Sequence, residues 1–258
     1  MYPLTSNTRG KDKKKTNKPG ILRNIRFAPG PFGKPRTAVK FLGKKNSYIQ
    51  LPNDGGLDAK NAITILAWVK PEGRSGPIVN YHPNAWSVLI WIERGRSVLV
   101  RYTRRNNRKP FITLRAMLKP RKWNNVGTSY DRSTGKVSLF VNERLVKQAT
   151  SRERPALSTQ YPVRMGARMG RQIRFRRPYF KGLVSCLQFY NVALKLKQVR
   201  AKYDECFRKR RKFVYVACFS CVSFWFYQNC YSRLFGKLSK LQRRLQCFFV
   251  SCCVHGRG

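Results

Sequence analysis

Acidic residues are scarce in this chain. Ten Asp and Glu stand against 55 Lys and Arg in 258 residues, and there are only two His. The shortage excludes whole classes of chemistry. Glycoside hydrolysis needs a pair of closely placed carboxylates, and no apolar-alternating stretch carries two at i and i+2. Glu143 and Glu153 lie ten positions apart across a turn, and Asp204-Glu205 ends a helical stretch. A Ser/His/Asp arrangement needs a usable imidazole, and His82 and His255 are the whole supply. The sequence is therefore read as non-enzymatic. Helical spacing is just as scarce in the body: only Val192–Glu205 has it, with Val192, Leu196 and Val199 on one stripe. A doubly wound α/β fold is excluded on that ground. Internal repeats are missing, and residues 1–20 hold no apolar segment of the kind a secretory leader needs.

What the chain does have is short β-forming runs. In 123–146, two such runs flank Asp131-Arg132-Ser133-Thr134-Gly135, which is turn chemistry. The second run puts Val137, Leu139 and Val141 on one face and Lys136, Ser138 and Phe140 on the other. Asn142-Glu143 then reverses the chain. Glu disfavours the positive φ of a type I′ turn, so a longer loop or another turn type is expected there. Residues 62–70, 86–93, 97–103, 111–118 and 182–190 repeat the pattern and are punctuated by Gly, Pro and Asn. Many short strands with turns between them predict an all-β sandwich or barrel. Residues 1–206 suffice for one large sandwich, with Trp68, Trp123, Val137, Leu139, Val141 and Leu187 expected inside. The tryptophans Trp68, Trp86 and Trp91 are likewise assigned to the core.

The order of local motifs resembles a known family. Phe41-Leu42-Gly43, Asn46-Ser47-Tyr48-Ile49 and Gly56-Leu57-Asp58 precede Ile63–Pro71 and Ser75-Gly76-Pro77-Ile78. Trp123, Tyr130-Asp131 and Thr134-Gly135 follow, and Phe180-Lys181-Gly182 and Cys186–Leu194 come last. Together they resemble the laminin-G-like jelly rolls of the concanavalin A-like superfamily, close to the pentraxins, over about residues 2–206. The resemblance implies a two-sheet antiparallel jelly roll with one short C-terminal helix and an extracellular recognition role. Glycans, matrix proteins and receptors are the ligands it brings into view. It also implies a disulfide between Cys186 and Cys206, worth up to about 3 kcal/mol, against two buried thiols on the residues alone. A disulfide in turn implies an oxidising compartment. With no leader visible, a piece of a longer secreted protein or ectodomain is the preferred reading. Some relatives bind Ca²⁺, for which Asn53, Asp54 and Asp58 are the one local oxygen cluster. Ordinary turn chemistry explains the same residues, and no cofactor is required.

Beyond Cys206 the composition changes. Residues 207–258 hold 11 Lys/Arg, no acid and six cysteines. The uncharged run 213–227 is short for a membrane span of about 20 residues, though contact with a membrane surface stays open. Cys218 and Cys221 are spaced for zinc, but Cys252, Cys253 and His255 make a poor second pair. The tail is read as a poorly ordered extension.

The remaining 44 Lys/Arg share residues 1–206 with all ten acids, so the body carries about +34. Such a field attracts polyanions and weakens with salt. The cations singled out are Arg101, Arg104, Arg105, Arg108 and Lys109 at one corner and Arg171, Arg174, Arg176 and Arg177 in a long loop that also holds Arg164 and Arg168. A third cluster is Arg115, Lys119, Arg121 and Lys122. The expected partner is a sulfated glycan or matrix component. A structural or adhesive module without glycan specificity, and a nucleic-acid binder driven by charge, are the alternatives.

Overall fold

Fourteen strands and one helix appear in the computed structural model, which describes residues 1–82, 87–106, 109–168 and 179–208. In chain order they are β1 (Ile21–Arg23), β2 (Ile25–Ala28), β3 (Ala38–Leu42), β4 (Tyr48–Leu51) and β5 (Ala62–Pro71). Next come β6 (Gly76–Asn80), β7 (Leu89–Glu93), β8 (Ser97–Thr103), β9 (Pro110–Met117) and β10 (Asn124–Asp131). The last are β11 (Lys136–Val141), β12 (Arg144–Thr150), β13 (Val163–Met165), β14 (Lys181–Tyr190) and the helix α1 (Leu196–Lys202). Sheet one runs β1-β4-β13-β6-β7-β8-β9 and sheet two runs β12-β11-β10-β5-β14-β3-β2. The pairing is antiparallel throughout, which makes an all-β jelly-roll sandwich.

Alternation builds the core. Ile63, Ile65, Ala67 and Val69 of β5 face inward, as do Val137, Leu139 and Val141 of β11 and Ile90, Ile92, Val98 and Val100 of β7 and β8. Each buried aliphatic side chain contributes about 1.5–3 kcal/mol relative to exposure. One polar link crosses the core from sheet to sheet. The Tyr102 hydroxyl lies 3.0 Å from Thr128 Oγ1, which itself donates to the Ser138 carbonyl. Burial pushes the Tyr102 phenol up, as a donor held in an apolar interior requires.

The outer face of sheet two has its own cover. Leu194, Val199 and Tyr203 pack over Leu66 and Phe140. The helix is shorter than its periodicity implied, and Val192 is exposed rather than on the buried stripe. Thr64 explains this. Its hydroxyl donates to the Val192 carbonyl (2.7 Å) and accepts from the Leu194 amide (2.8 Å), holding 192–194 outside the helix. Gln198 Oε1 accepts the Lys195 amide at the helix start (2.9 Å), and Arg200 and Lys202 sit favourably at its C-terminal end.

The tryptophans depart from expectation. Trp68 and Trp123 are half-buried rather than core. Trp68 lies on the outer face of sheet two, where its Nε1 donates to the Tyr203 carbonyl (2.9 Å) and its ring meets Phe32. Trp91 is buried, but with Leu89 and Leu99 on the outer face of sheet one. Trp86 lies outside the described residues. Alternation alone cannot tell an inward face from an outward face that something else covers.

The Asn142-Glu143 turn is also tighter than expected. Val141 pairs directly with Arg144, and both turn residues have positive φ, 49° and 62°. Neighbours support the strained Glu143: its amide bonds Asn125 Oδ1 (2.9 Å) and its carbonyl accepts from Arg200 Nε (2.8 Å). At the other end of β11, Asp131 accepts from the amide and hydroxyl of Ser133 and from Thr134 Oγ1. Gly135 there has φ +69°, and a Cβ would stand 2.1 Å from the Ser151 carbonyl oxygen.

The Cys186–Cys206 disulfide is present, with Cα atoms 5.6 Å apart. Cys186 lies in a bulge where β14 shifts register against β5. The N-terminal segment fills that gap: Tyr2 and Leu187 exchange amide–carbonyl bonds of 2.7 and 2.9 Å. Residues Met1–Arg208 form one compact unit. The expected tail features lie outside the described residues. No helix among the described residues is long and apolar enough to cross a membrane.

Candidate functional site

Hairpin parity decides what meets at one end of the sandwich. β10 ends there at Asp131, β11 leaves and β12 returns, so the 131–135 turn and the segment after Thr150 share an end. β5 begins opposite Asp131, and β8 delivers Arg104 to a bridge with Leu157. The amides of Arg132, Leu157 and Arg105 bond the carbonyls of Asn61, Lys60 and Ala156 in turn (2.8–2.9 Å).

Beneath this corner is a polar lock. Arg105 donates to both Asp58 oxygens (2.9 and 2.8 Å) and to the Leu157 carbonyl (3.2 Å), and Thr159 Oγ1 donates to Asp58 Oδ1 (2.7 Å). The Arg105 hydrogen bonds hold the Asp58 carboxyl below its usual range, outweighing partial burial. Asn53 completes the lock by donating to the Thr159 and Tyr161 carbonyls (2.8 and 3.0 Å).

An open groove lies on the same corner, lined by Asn61, Arg132, Ser133, Glu153 and Arg154. Arg132 Nε donates to the Arg154 carbonyl (3.0 Å) and Nη1 to Asn61 Oδ1 (2.9 Å), which aligns its planar fork; Nη2 has no partner among the described residues. Lys60, Arg132, Arg152 and Arg154 are all exposed here, and Arg104 closes one side in an ion pair with Glu153. Guanidinium forks suit carboxylate and sulfate oxygens, while Asn61, Ser133 and Glu153 offer donors and acceptors for hydroxyls.

Only part of the expected basic surface is assembled in this way. Arg105 is paired with Asp58 and Arg104 with Glu153, so each guanidinium already has a carboxylate partner at this corner. Arg101 is not in the corner: it lies in mid-β8, opposite Leu89 and Thr113 on the outer face of sheet one. Lys109 is exposed and its carbonyl accepts the Arg104 amide (3.1 Å). Arg108, Arg171, Arg174, Arg176 and Arg177 lie outside the described residues. Arg115 is paired with Glu93 (3.2 Å). Arg164, assigned to a loop by sequence, belongs to β13 and is buried, as is Arg168. Arg132, Arg152 and Arg154 were missed because nothing in the sequence says which turns share an end.

Each residue of the oxygen cluster considered for Ca²⁺ is engaged by a protein partner. Asn53 Oδ1 accepts two backbone amides, Asp54 pairs with Lys18 (3.1 Å), and Asp58 is held by Arg105. Among the described residues no three His, Cys, Asp or Glu are grouped to hold a metal ion.

Comparison with known proteins agrees with this architecture. A laminin-G-like family described as the concanavalin A-like lectin/glucanases superfamily matches residues 42–200, more than half of the chain. The chain belongs to that family. Among solved structures it resembles the binding domain of Paraclostridial Mosquitocidal Protein 1, with TM-score 0.60 and 14% identity over 77% of this chain and 50% of that one. It spans about half of that binding domain's length. Domain 4 of AbnA, an extracellular arabinanase from Geobacillus stearothermophilus solved with arabinotriose, gives TM-score 0.55 and 21% identity, covering 78% of this chain and 96% of that one. A heptameric SAP-like pentraxin from Limulus polyphemus gives TM-score 0.50 and 16% identity over 64% and 81%. No curated protein sequence matches the chain.

Proposed function

We propose that this domain is a non-enzymatic, extracellular glycan-recognition module that binds acidic chains at its basic corner. The observation that carries the reading is the Arg132–Arg154 groove. Two guanidinium groups stand there with Asn61, Ser133 and Glu153, on a base made rigid by the Asp58–Arg105 lock. Cations hold the anionic groups of the chain, and the neutral and acidic side chains meet its hydroxyls. Membership of a lectin-containing superfamily supports glycan recognition. So does the likeness to nearly the whole of a domain solved with arabinotriose. The Cys186–Cys206 bond fits an oxidising, extracellular setting. The non-enzymatic reading is supported by the ion pairs that engage Asp58, Glu72, Glu93 and Glu153.

Charge alone would serve nucleic acid equally well, so the test compares the two. The 258-residue chain is titrated with heparin, desulfated heparin and duplex DNA at equal salt. Tighter binding of heparin than of both others is expected. Equal binding of the desulfated chain removes the role of the anionic groups, and tighter binding of DNA moves the nucleic-acid reading ahead.

A further inference from the structure

Sheet one has an outer face that the corner does not use. Ile49 and Leu51 of β4 and Val163 and Met165 of β13 point into the core. Tyr48, Gln50 and Arg164 therefore point the other way. Gln50 stands beside Arg164, and Arg164 beside Asn80 of β6. Arg164 is 5% exposed. Its guanidinium carbon sits 3.3 Å from the centroid of the Tyr48 ring, and its Nη1 donates to Gln50 Oε1. Its Nε is buried and has no partner among the described residues. Among the described residues no carboxylate pairs with it: Glu93, on the same face, is engaged by Arg115 (3.2 Å).

A guanidinium taken out of water is costly unless an opposite charge compensates it. A ring face and a neutral amide provide only part of that compensation. Burial accordingly pushes the Arg164 group down from its ordinary value. Gln50 is oriented by the same contact: with Oε1 accepting from Arg164, its amide nitrogen is left as a donor. The neighbouring edge strand β1 carries Ile21, 46% exposed, and Arg23, which stands opposite Tyr48 and is exposed as well.

We propose that Tyr48, Gln50 and Arg164 form an anion site on the outer face of sheet one, which takes the carboxylate or sulfate group of an acidic sugar. The Nε of Arg164 and the Gln50 amide nitrogen donate to the oxyanion, Tyr48 fixes the guanidinium plane, and Arg23 adds charge at the entrance. This site is separate from the corner groove and does not depend on it.

The test is nuclear magnetic resonance of the arginine Nε–Hε signals in the full chain, titrated with glucuronate, inorganic sulfate or chloride at constant ionic strength. R164Q identifies the Arg164 signal by its loss. R164K serves the same purpose if R164Q does not fold. A saturable shift of that signal with glucuronate, sulfate or both is expected, and which of them acts tells carboxylate from sulfate. Q50A should weaken the response about tenfold, the scale of one charge-assisted hydrogen bond. R132Q/R154Q should leave it unchanged, so failure of the corner reading does not remove this one. A flat titration, or a chloride response equal to the others, would make Arg164 a purely structural cation and overturn the proposal.

Discussion

Asp58 and Arg105, 47 positions apart, form a two-bond fork with O–N distances of 2.9 and 2.8 Å. It joins the loop entering β5 to the turn leaving β8, and Thr159 ties in the segment before β13. Both side chains are about a fifth to a quarter exposed, so solvent screens part of the interaction. Replacing Asp58 with Asn should cost about 1–3 kcal/mol, mainly by leaving a partly buried Arg105 donor poorly matched. The pH dependence has a definite sign. The folded Asp58 pKa lies below the unfolded value of about 3.9. Its contribution is therefore present above that unfolded value and is lost as pH falls through the lower folded one. Urea midpoints at pH 7 and pH 3 check this: D58N should narrow the gap between the two, and an unchanged gap refutes the lock.

The disulfide holds the segment after α1 to the bulge of β14. C206S should lower stability by about 2–4 kcal/mol. A reductant should lower the urea midpoint of the wild type but have little effect on C206S. Peptide mapping under non-reducing conditions should recover Cys186 and Cys206 in one linked species. Free thiols at both positions in protein taken from a secretory compartment would also remove the argument for an extracellular setting.

The local signals in the sequence were good guides to the strands and poor guides to faces and partners. Val137, Leu139 and Val141 lie in the core because their alternation admits only one register. Residues 97–103 match β8, since turns bound them on both sides. Trp68 alternates equally well, yet its face is closed by Tyr203 and Phe32, which arrive from distant parts of the chain. Arg105 and Arg132 look alike in sequence. One meets Asp58 and the other frames an open groove, because long-range topology and not composition places the few acids. Arg164 reads as a loop residue in the sequence because β13 has only three residues, too few for a period to show.

Glu143 should be improvable. Its φ of 62° is left-handed, where a side chain costs energy that glycine avoids. E143G should stabilise the fold by about 0.5–1 kcal/mol, provided the Asn125 and Arg200 contacts to its backbone persist. N125A removes the bond to the Glu143 amide and should destabilise by about 1 kcal/mol. Thermal unfolding of the two variants checks both signs. If E143G is destabilising, the Glu143 side chain itself has a stabilising role.

The corner makes a sharper claim about which arginines bind and which only build. Each ionic contact to a polyanion releases counterions, and affinity falls with salt by a slope close to 0.9 per contact on duplex DNA. Heparin should behave in the same direction. R132Q/R154Q removes two exposed forks from the groove, so affinity for heparin should fall and the slope should flatten by roughly 2. R105Q removes one positive charge too, but that charge is neutralised by Asp58 in the fold. It should lower the urea midpoint while leaving the salt slope nearly as it was, measured below the unfolding transition. If R105Q and R132Q/R154Q flatten the slope alike, per charge removed, the protein binds through its diffuse field and the groove has no special part. If only the groove pair does so, the corner is the surface at which acidic chains are held.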